Sequence, residues 1–372
     1  MRNFILPVLL VITSCSWSQA EFKKWSQKRD DNKADNLETV GAKAEEVEKF
    51  KVEDVPAEPV APALPVPPAK VTTKKPTPNP VATKLPVPKT PPAAVPLAPQ
   101  GFTYPEHVTE EIRKLDERSE VAWKAFNPSF KPNELMFLDV DYLGMTVGKV
   151  SMAYKGVKSI NGKEVYHFQA RFKTAPFYAA LYELDDTIDT YVSKKDFLGQ
   201  RYNLTQRESK QSVDEVQLYD QEKLKTTAYQ KQVRKDKPVK NRNWEGPMPR
   251  YNIDSFSAIY LIRGLPLKPG DAYAITIVNK AKLLVLDLKV ELKEKIRIKG
   301  KDRQTLRVYA HTKYTGSTLK SGDMTFWMTD TPEHELLRAK AEIKIGSVYL
   351  ETSDKLYNLR ANSKEPAKTQ TP

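Results

Sequence analysis

Leu284, Leu286, Leu288, Val290 and Leu292 fall on every second position, and Ile296 and Ile298 carry the alternation on towards Gly300. Successive side chains of a strand point to opposite faces, so this period builds one apolar face and argues against a helix. Such a strand needs neighbours on its edges and cover for its apolar face. The rest of the chain supplies them. Met136, Leu138, Val140 and Tyr142 alternate, as do Val150, Met152 and Tyr154 after an interruption at Gly144 and Gly148. Asn161-Gly162 is the strongest hairpin signal, followed by Tyr166, Phe168, Ala170 and Phe172 at period two. Further runs lie at Ile188–Val192, Tyr202–Leu204, Val216–Leu218, Lys223–Gln232, Tyr273–Ile277, Leu306–Ala310, Met324–Met328 and Leu337–Ile345. Residues 235–249, basic and proline-bearing, read as a loop. The expected fold is mainly β, an antiparallel rolled sheet or barrel-like domain of roughly ten strands, because rolling disposes of exposed edges. Strands do not alternate with long helices, which excludes a doubly wound fold.

Two helices interrupt this pattern. Thr109 to Phe126 is amphipathic, with Ile112, Leu115, Ala122 and Phe126 on one side and Glu110 and Glu111 in the first turn, where the macrodipole favours them. The second spans Ser255 to Arg263. Asp254 can cap it, and Phe256, Ile259 and Tyr260 make one apolar face. Gly264 is expected to end it in the left-handed conformation, and Pro266 and Pro269 prevent its return. Pro269-Gly270 suits the centre of a type II turn. A short apolar helix set among strands reads as the plug or lid of the β domain.

The N-terminus is an address. Residues 1–20 hold Arg2, a nine-residue apolar core from Phe4 to Ile12, and Cys15, the single cysteine of the chain. That core is too short to span a bilayer as a stable helix and reads as a signal peptide. Ile12-Thr13-Ser14-Cys15 matches a lipobox, which would make Cys15 the lipid-anchor site. Ser18-Gln19-Ala20 offers a competing cleavage site for soluble export. An anchored chain would sit on the outer membrane facing the periplasm, since Ser16 and not an aspartate follows the cysteine; the alternative is a soluble periplasmic protein. Residues 21–100 read as a disordered tether: charged as far as Lys51, then carrying fifteen prolines and no glycine between Pro56 and Pro99. The β domain is expected over residues 101–352, with a flexible tail over 353–372.

Four stretches together resemble the exported-protein family DUF3108: NELMFLDVDYLGMTVGKVSMAY, VYHFQARFKTAPFYAALYELDDTIDTYVSKKDFLGQRYNLTQRESK, DSFSAIYLIRGLPLKPGD and FWMTDTPEHELLRAKAEIKIGSVYLE. The resemblance implies a β-rich periplasmic or lipid-anchored protein and supplies no catalytic residues.

Catalytic and metal signals are thin. With a single cysteine, no disulfide forms within the chain and no cysteine-based metal site exists. His334-Glu335 begins a zinc-protease helix motif, but Arg338 stands where the second histidine belongs. Asp139 and Asp141 share a strand face and could act as a carboxylate pair, but read as solvent-facing strand charges, and Asp185/Asp186/Asp189 lack the glycine and terminal glutamate of a calcium loop. Ser255 and Ser257 lack a nucleophile elbow. Trp123 and Trp327 read as core residues. The expectation is therefore no enzyme, no metal and no cofactor. Between Lys289 and Arg307 there are eight basic residues against three acids. Simple alternation would put Lys289, Lys293, Lys295 and Arg297 on one face, joined by Arg303 and Arg307 from a return strand, as a cationic ribbon for an anionic envelope polymer. Nucleic acid is not an expected partner, because no stacking aromatics interleave with these charges. Two functions stand side by side: an envelope lipoprotein that displays its β domain to cell wall, membrane or a protein partner, and a carrier of a lipid or other apolar ligand.

Overall fold

The computed structural model describes residues 36–55, 102–314, 320–343 and 346–353. The leader with Cys15, the proline-rich stretch and the tail from residue 354 lie outside them. The chain is mainly β, as its alternation predicts. The strands are β1 (Val52–Asp54), β2 (Leu135–Tyr142), β3 (Met145–Ile160), β4 (Lys163–Thr174), β5 (Asp185–Ser193), β6 (Gly199–Glu208), β7 (Gln211–Asp220), β8 (Lys225–Arg234), β9 (Lys240–Pro247), β10 (Ala272–Asn279), β11 (Lys282–Ile298), β12 (Lys301–Tyr314), β13 (Lys320–Thr329), β14 (Leu336–Glu342) and β15 (Ser347–Thr352). The helices are α1 (Asn36–Val40), α2 (Ala44–Lys49), α3 (Glu110–Ala125), α4 (Pro176–Ala179) and α5 (Ser257–Arg263).

One antiparallel sheet runs from β10 through β15, then β2 through β9, so the last strand of the sequence pairs with β2 and joins the two halves. The sheet does not close into a barrel. Its end strands β9 and β10 are not hydrogen-bonded neighbours. They are brought together by the turn at Lys280-Ala281, which rests against β7 and β9. The Lys280 amide donates to Gln217 Oε1 at 2.9 Å, its ammonium lies 2.8 Å from the buried Glu215, and a Cβ on Gly246 would meet Ala281 Cβ at 3.3 Å. Side chains thus do at this seam what backbone bonds do elsewhere. The basic stretch expected as a loop contributes β9, an exposed edge strand paired with β8 over Lys225–Gln232.

Tight two-residue turns fix the register. Asn161-Gly162, Lys299-Gly300 and Leu143-Gly144 all have two consecutive positive φ values, the geometry that matches strand twist. The Pro269-Gly270 turn also forms, with Gly270 at φ +97° and Asp271 N donating to Lys268 O at 2.9 Å. Gly264 departs from expectation. Its φ is −84°, so it is not the left-handed cap. It is needed for space: a Cβ there would lie 2.3 Å from Phe126 Cε2 and 2.6 Å from Asn127 O.

The main core lies on one face of the sheet around α5 and includes Leu138, Val150, Phe168, Leu286, Val308 and Phe326. A second core lies on the opposite face, where Leu37, Val40 and Phe50 pack on Val165, Tyr191, Val216, Leu218 and Tyr229. Residues 36–55 are therefore not part of a disordered tether. β1 pairs with β3, the Arg201 guanidinium donates to Phe50 O at 2.8 Å, and Lys49 meets Asp220 at 2.9 Å. Their charged composition gave no sign of this, because the apolar partner surface is supplied by distant strands. The proline-rich stretch consequently joins two points of one folded unit: β1 is paired before it, and Tyr104 after it donates to Asp116. Residues 16–35, not the prolines, stand between Cys15 and the fold.

Candidate functional site

Helix α5 lies in the main core, and buried polar contacts pin both of its ends. At its start the Asp254 carboxylate accepts from the amides of Phe256 and Ser257 at 2.8 and 2.9 Å, from Ser257 Oγ at 2.6 Å, and from Thr190 Oγ1 on β5. The capping role read from the sequence is thus present, extended by a cross-link to the sheet. Burial pushes this carboxyl above its usual range, while the bonds from Ser257 and Thr190 pull the other way. At its end the Arg263 guanidinium, 1% exposed, forms a two-pronged ion pair with Glu134, 4% exposed. Arg263 O accepts from Ser129 Oγ at 3.0 Å and from His334 Nδ1 at 2.9 Å. Both ends of the helix are thus tied to the strands and turns around it.

Of the three residues predicted on its apolar face, Phe256 and Tyr260 are buried and Ile259 is half-buried against the core. Tyr260 stacks on Phe168 with centroids 3.9 Å apart, and Phe130 meets Tyr154, Tyr166 and Phe168 edge-on at 4.9–5.1 Å. Beyond α5 the same face of the sheet stays incompletely covered. Val140, Phe172, Ile188, Met324 and Leu350 pack against the core yet remain only partly buried. Register places Val140 directly opposite Leu350, and Ala170 between Met152 and Ile188. The result is a half-buried apolar floor on this face of the sheet.

Asp186 borders this floor, directly opposite Phe172. It is 5% exposed and accepts from the Arg207 amide at 2.9 Å and Gln206 Nε2 at 3.2 Å. Burial pushes its carboxyl up to about 6, against the pull of those bonds. A carboxyl raised in the fold favours the protonated form there, so its contribution to stability falls as pH climbs from about 4 to about 6. Asp186→Asn keeps an acceptor for the Arg207 amide and removes the buried charge. It is expected to raise unfolding free energy at pH 7 by about 1–2 kcal/mol and to flatten the pH slope in that window, measured by urea titrations across pH.

The other sequence candidates fare differently. The cationic ribbon is divided by a β-bulge between Val290 and Leu292. After the bulge Lys293 lies opposite the core residue Leu306 and Lys295 opposite Gln304, whereas Arg303 lies opposite Ile296. Lys293, Lys295 and Arg297 therefore share one face, while Lys289, Arg303 and Arg307 lie on the other. Acids also answer several of them: Arg307 meets Glu291 at 2.7 Å and Glu294 at 3.3 Å, and Lys293 meets Asp330 at 2.7 Å. Ile296 and Ile298 form a small outer cluster with Leu337 and the half-buried Trp327, which is thus not a residue of the main core, as Trp123 is.

Asp139 is buried, not solvent-facing, and Asp189 is buried as well. Asp139 meets Lys149 at 2.6 Å and Lys299 at 3.1 Å, and Asp189 accepts from His167 and Gln169 at 2.9 and 2.8 Å. His334 lies in a turn at φ +40°, not on a helix. Among the described residues no cluster of three or more histidine, cysteine, aspartate or glutamate side chains could hold a metal ion. The clamp between Glu134 and Arg263 was missed by sequence reading, since nothing in the spacing of these residues links them. Cys15 lies outside the described residues.

A family model described as "Protein of unknown function (DUF3108)" matches residues 138–353. No curated protein matches the chain. Among solved structures, a beta-barrel-like protein of domain of unknown function DUF1849 from Brucella abortus is similar over 59% of this chain and 94% of its own, at 12% identity and a TM-score of 0.39. The Mycobacterium tuberculosis lipoprotein LppX is similar over 65% of this chain and 93% of its own, at 13% identity and a TM-score of 0.17.

Proposed function

The chain belongs to the DUF3108 family, and from that premise we propose that it is a non-enzymatic binding protein of the cell envelope, exported and moored through Cys15, whose open apolar floor takes a lipid or other apolar ligand. The observation that carries this reading is the set of half-buried apolar side chains beyond the plug, Val140, Phe172, Ile188, Met324 and Leu350, on neighbouring or near-neighbouring strands of one sheet face. A fold built only for display gains by covering such side chains, at about 25 cal/mol for each Å² removed from water. Binding sites for apolar ligands are concave and lined mostly by hydrophobic residues, with few polar groups at the edge. Asp186 and Gln206 are polar groups of that kind.

One experiment tests both halves. In a bacterial host, Cys15→Ala is expected to lose the acyl mass that the unaltered chain carries, and native mass spectra of that variant should show non-covalently bound lipid. An acyl mass that persists in the variant would remove the anchor from the reading. Spectra free of ligand at native stoichiometry would return the protein to the display function.

A further inference from the structure

Leu143 and Leu181 are the most exposed large apolar side chains among the described residues, at 59% and 60%. They belong to one rim. Leu143 tips the β2–β3 turn, and Leu181 follows α4, whose Tyr178 hydroxyl lies 3.6 Å from Met145 Sδ. The Ala175 amide donates to Val147 O at 2.9 Å, so the loop after β4 is bonded to the hairpin. A Cβ on Gly346, in the β14–β15 turn, would lie 3.6 Å from Leu143 Cδ2, which brings a third loop to the same place.

Leu143 is also the wrong residue for its backbone. Its φ is +49°, in the left-handed region that asparagine or glycine enters readily and a bulky side chain does not. The equivalent position of the β3–β4 turn is Asn161, at the same φ. The fold thus gains nothing from a leucine at this site, and its side chain is turned out to solvent. The rim is continuous with the apolar floor, because Val140 and Phe172 lie on the strands that end in these two loops.

We infer that this rim docks on the surface of a lipid bilayer, so that an apolar ligand passes between membrane and floor without crossing water. The inference rests on the ligand-binding reading above and names the partner of the same site. A membrane is the occupant that the chain itself points to. Twenty residues lie between an anchor at Cys15 and Asn36, at most about 70 Å of chain. A bilayer therefore lies within reach of the rim, and its headgroup region is where leucine and aromatic side chains bury their apolar parts.

The test uses the full chain with Cys15→Ala, so that no acyl anchor contributes, and vesicles of phosphatidylethanolamine and phosphatidylglycerol. The parent is expected to float with the vesicles. Leu143→Asn and Leu181→Asn should each weaken flotation about tenfold or more. Leu143→Asn should keep or raise the unfolding temperature, which separates lost docking from lost folding. A parent chain that does not float overturns the inference, as does a double variant that floats like the parent. Flotation that depends on both leucines in a chain whose native mass spectra show no bound lipid refutes the carrier function and supports the membrane-facing rim.

Discussion

Glu134→Ala is expected to lower the unfolding free energy by about 3–5 kcal/mol, the usual cost of stranding one partner of a buried ion pair. Arg263 keeps its charge at any workable pH and has no route to water, being 1% exposed at the end of α5. Its remaining acceptor is Glu333 O at 3.4 Å, too long to replace a carboxylate. The loss is also expected to reach beyond the pair. Arg263 O is the acceptor for Ser129 Oγ and for His334, so a displaced Arg263 loosens the segment before β2 and the turn before β14 together. Glu134→Gln, which keeps the shape and one acceptor, should lose less. Urea midpoints of the three proteins decide the matter. A loss under about 1 kcal/mol in the alanine variant, within the range of an exposed pair, would show that the clamp does not hold the plug.

The opposite end of α5 carries the second large effect. Asp254→Ala is expected to cost about 3–4 kcal/mol, since it leaves two backbone amides buried with their acceptor gone and leaves the hydroxyls of Ser257 and Thr190 only each other. An ordinary exposed N-cap loses about 1 kcal/mol, so the size of the drop separates a cross-link to the sheet from a cap alone. Asp254→Asn keeps one oxygen for the amides and removes the buried charge that the fold disfavours, and should therefore be milder. Thermal melts of both variants provide the check. Equal losses would mean that the charge, and not the set of donors around it, is what this position supplies.

The candidate site was half legible. Phe256, Tyr260 and the capping aspartate could be named because a helix announces itself by local spacing. Their fixed position could not, because Thr190 and Glu134 are 64 and 129 residues away from their partners Asp254 and Arg263. The apolar face of the sheet followed from the alternation of β2, β4 and β5, but nothing local says which apolar residues stay half-covered. The cationic ribbon shows the opposite failure. Lys289 to Arg297 alternates with aliphatic residues as text except at Glu294, yet one extra residue at the bulge transfers Leu292 and everything after it to the other face. Leu143 could have been singled out: a leucine before the glycine of a two-residue turn contradicts turn chemistry on sight.

By itself the sequence determined that this chain would be a sheet of antiparallel hairpins with one short apolar helix among them, since side-chain alternation and turn residues are properties of a few neighbouring positions. Tertiary structure decided the rest. It set the pairing of β15 with β2, the docking of residues 36–55 on the outer face, the seam held by Lys280, and the burial of Asp186. Each of these depends on a surface assembled from distant strands. The free energy of such a contact belongs to the pair, and neither segment alone carries a sign of it.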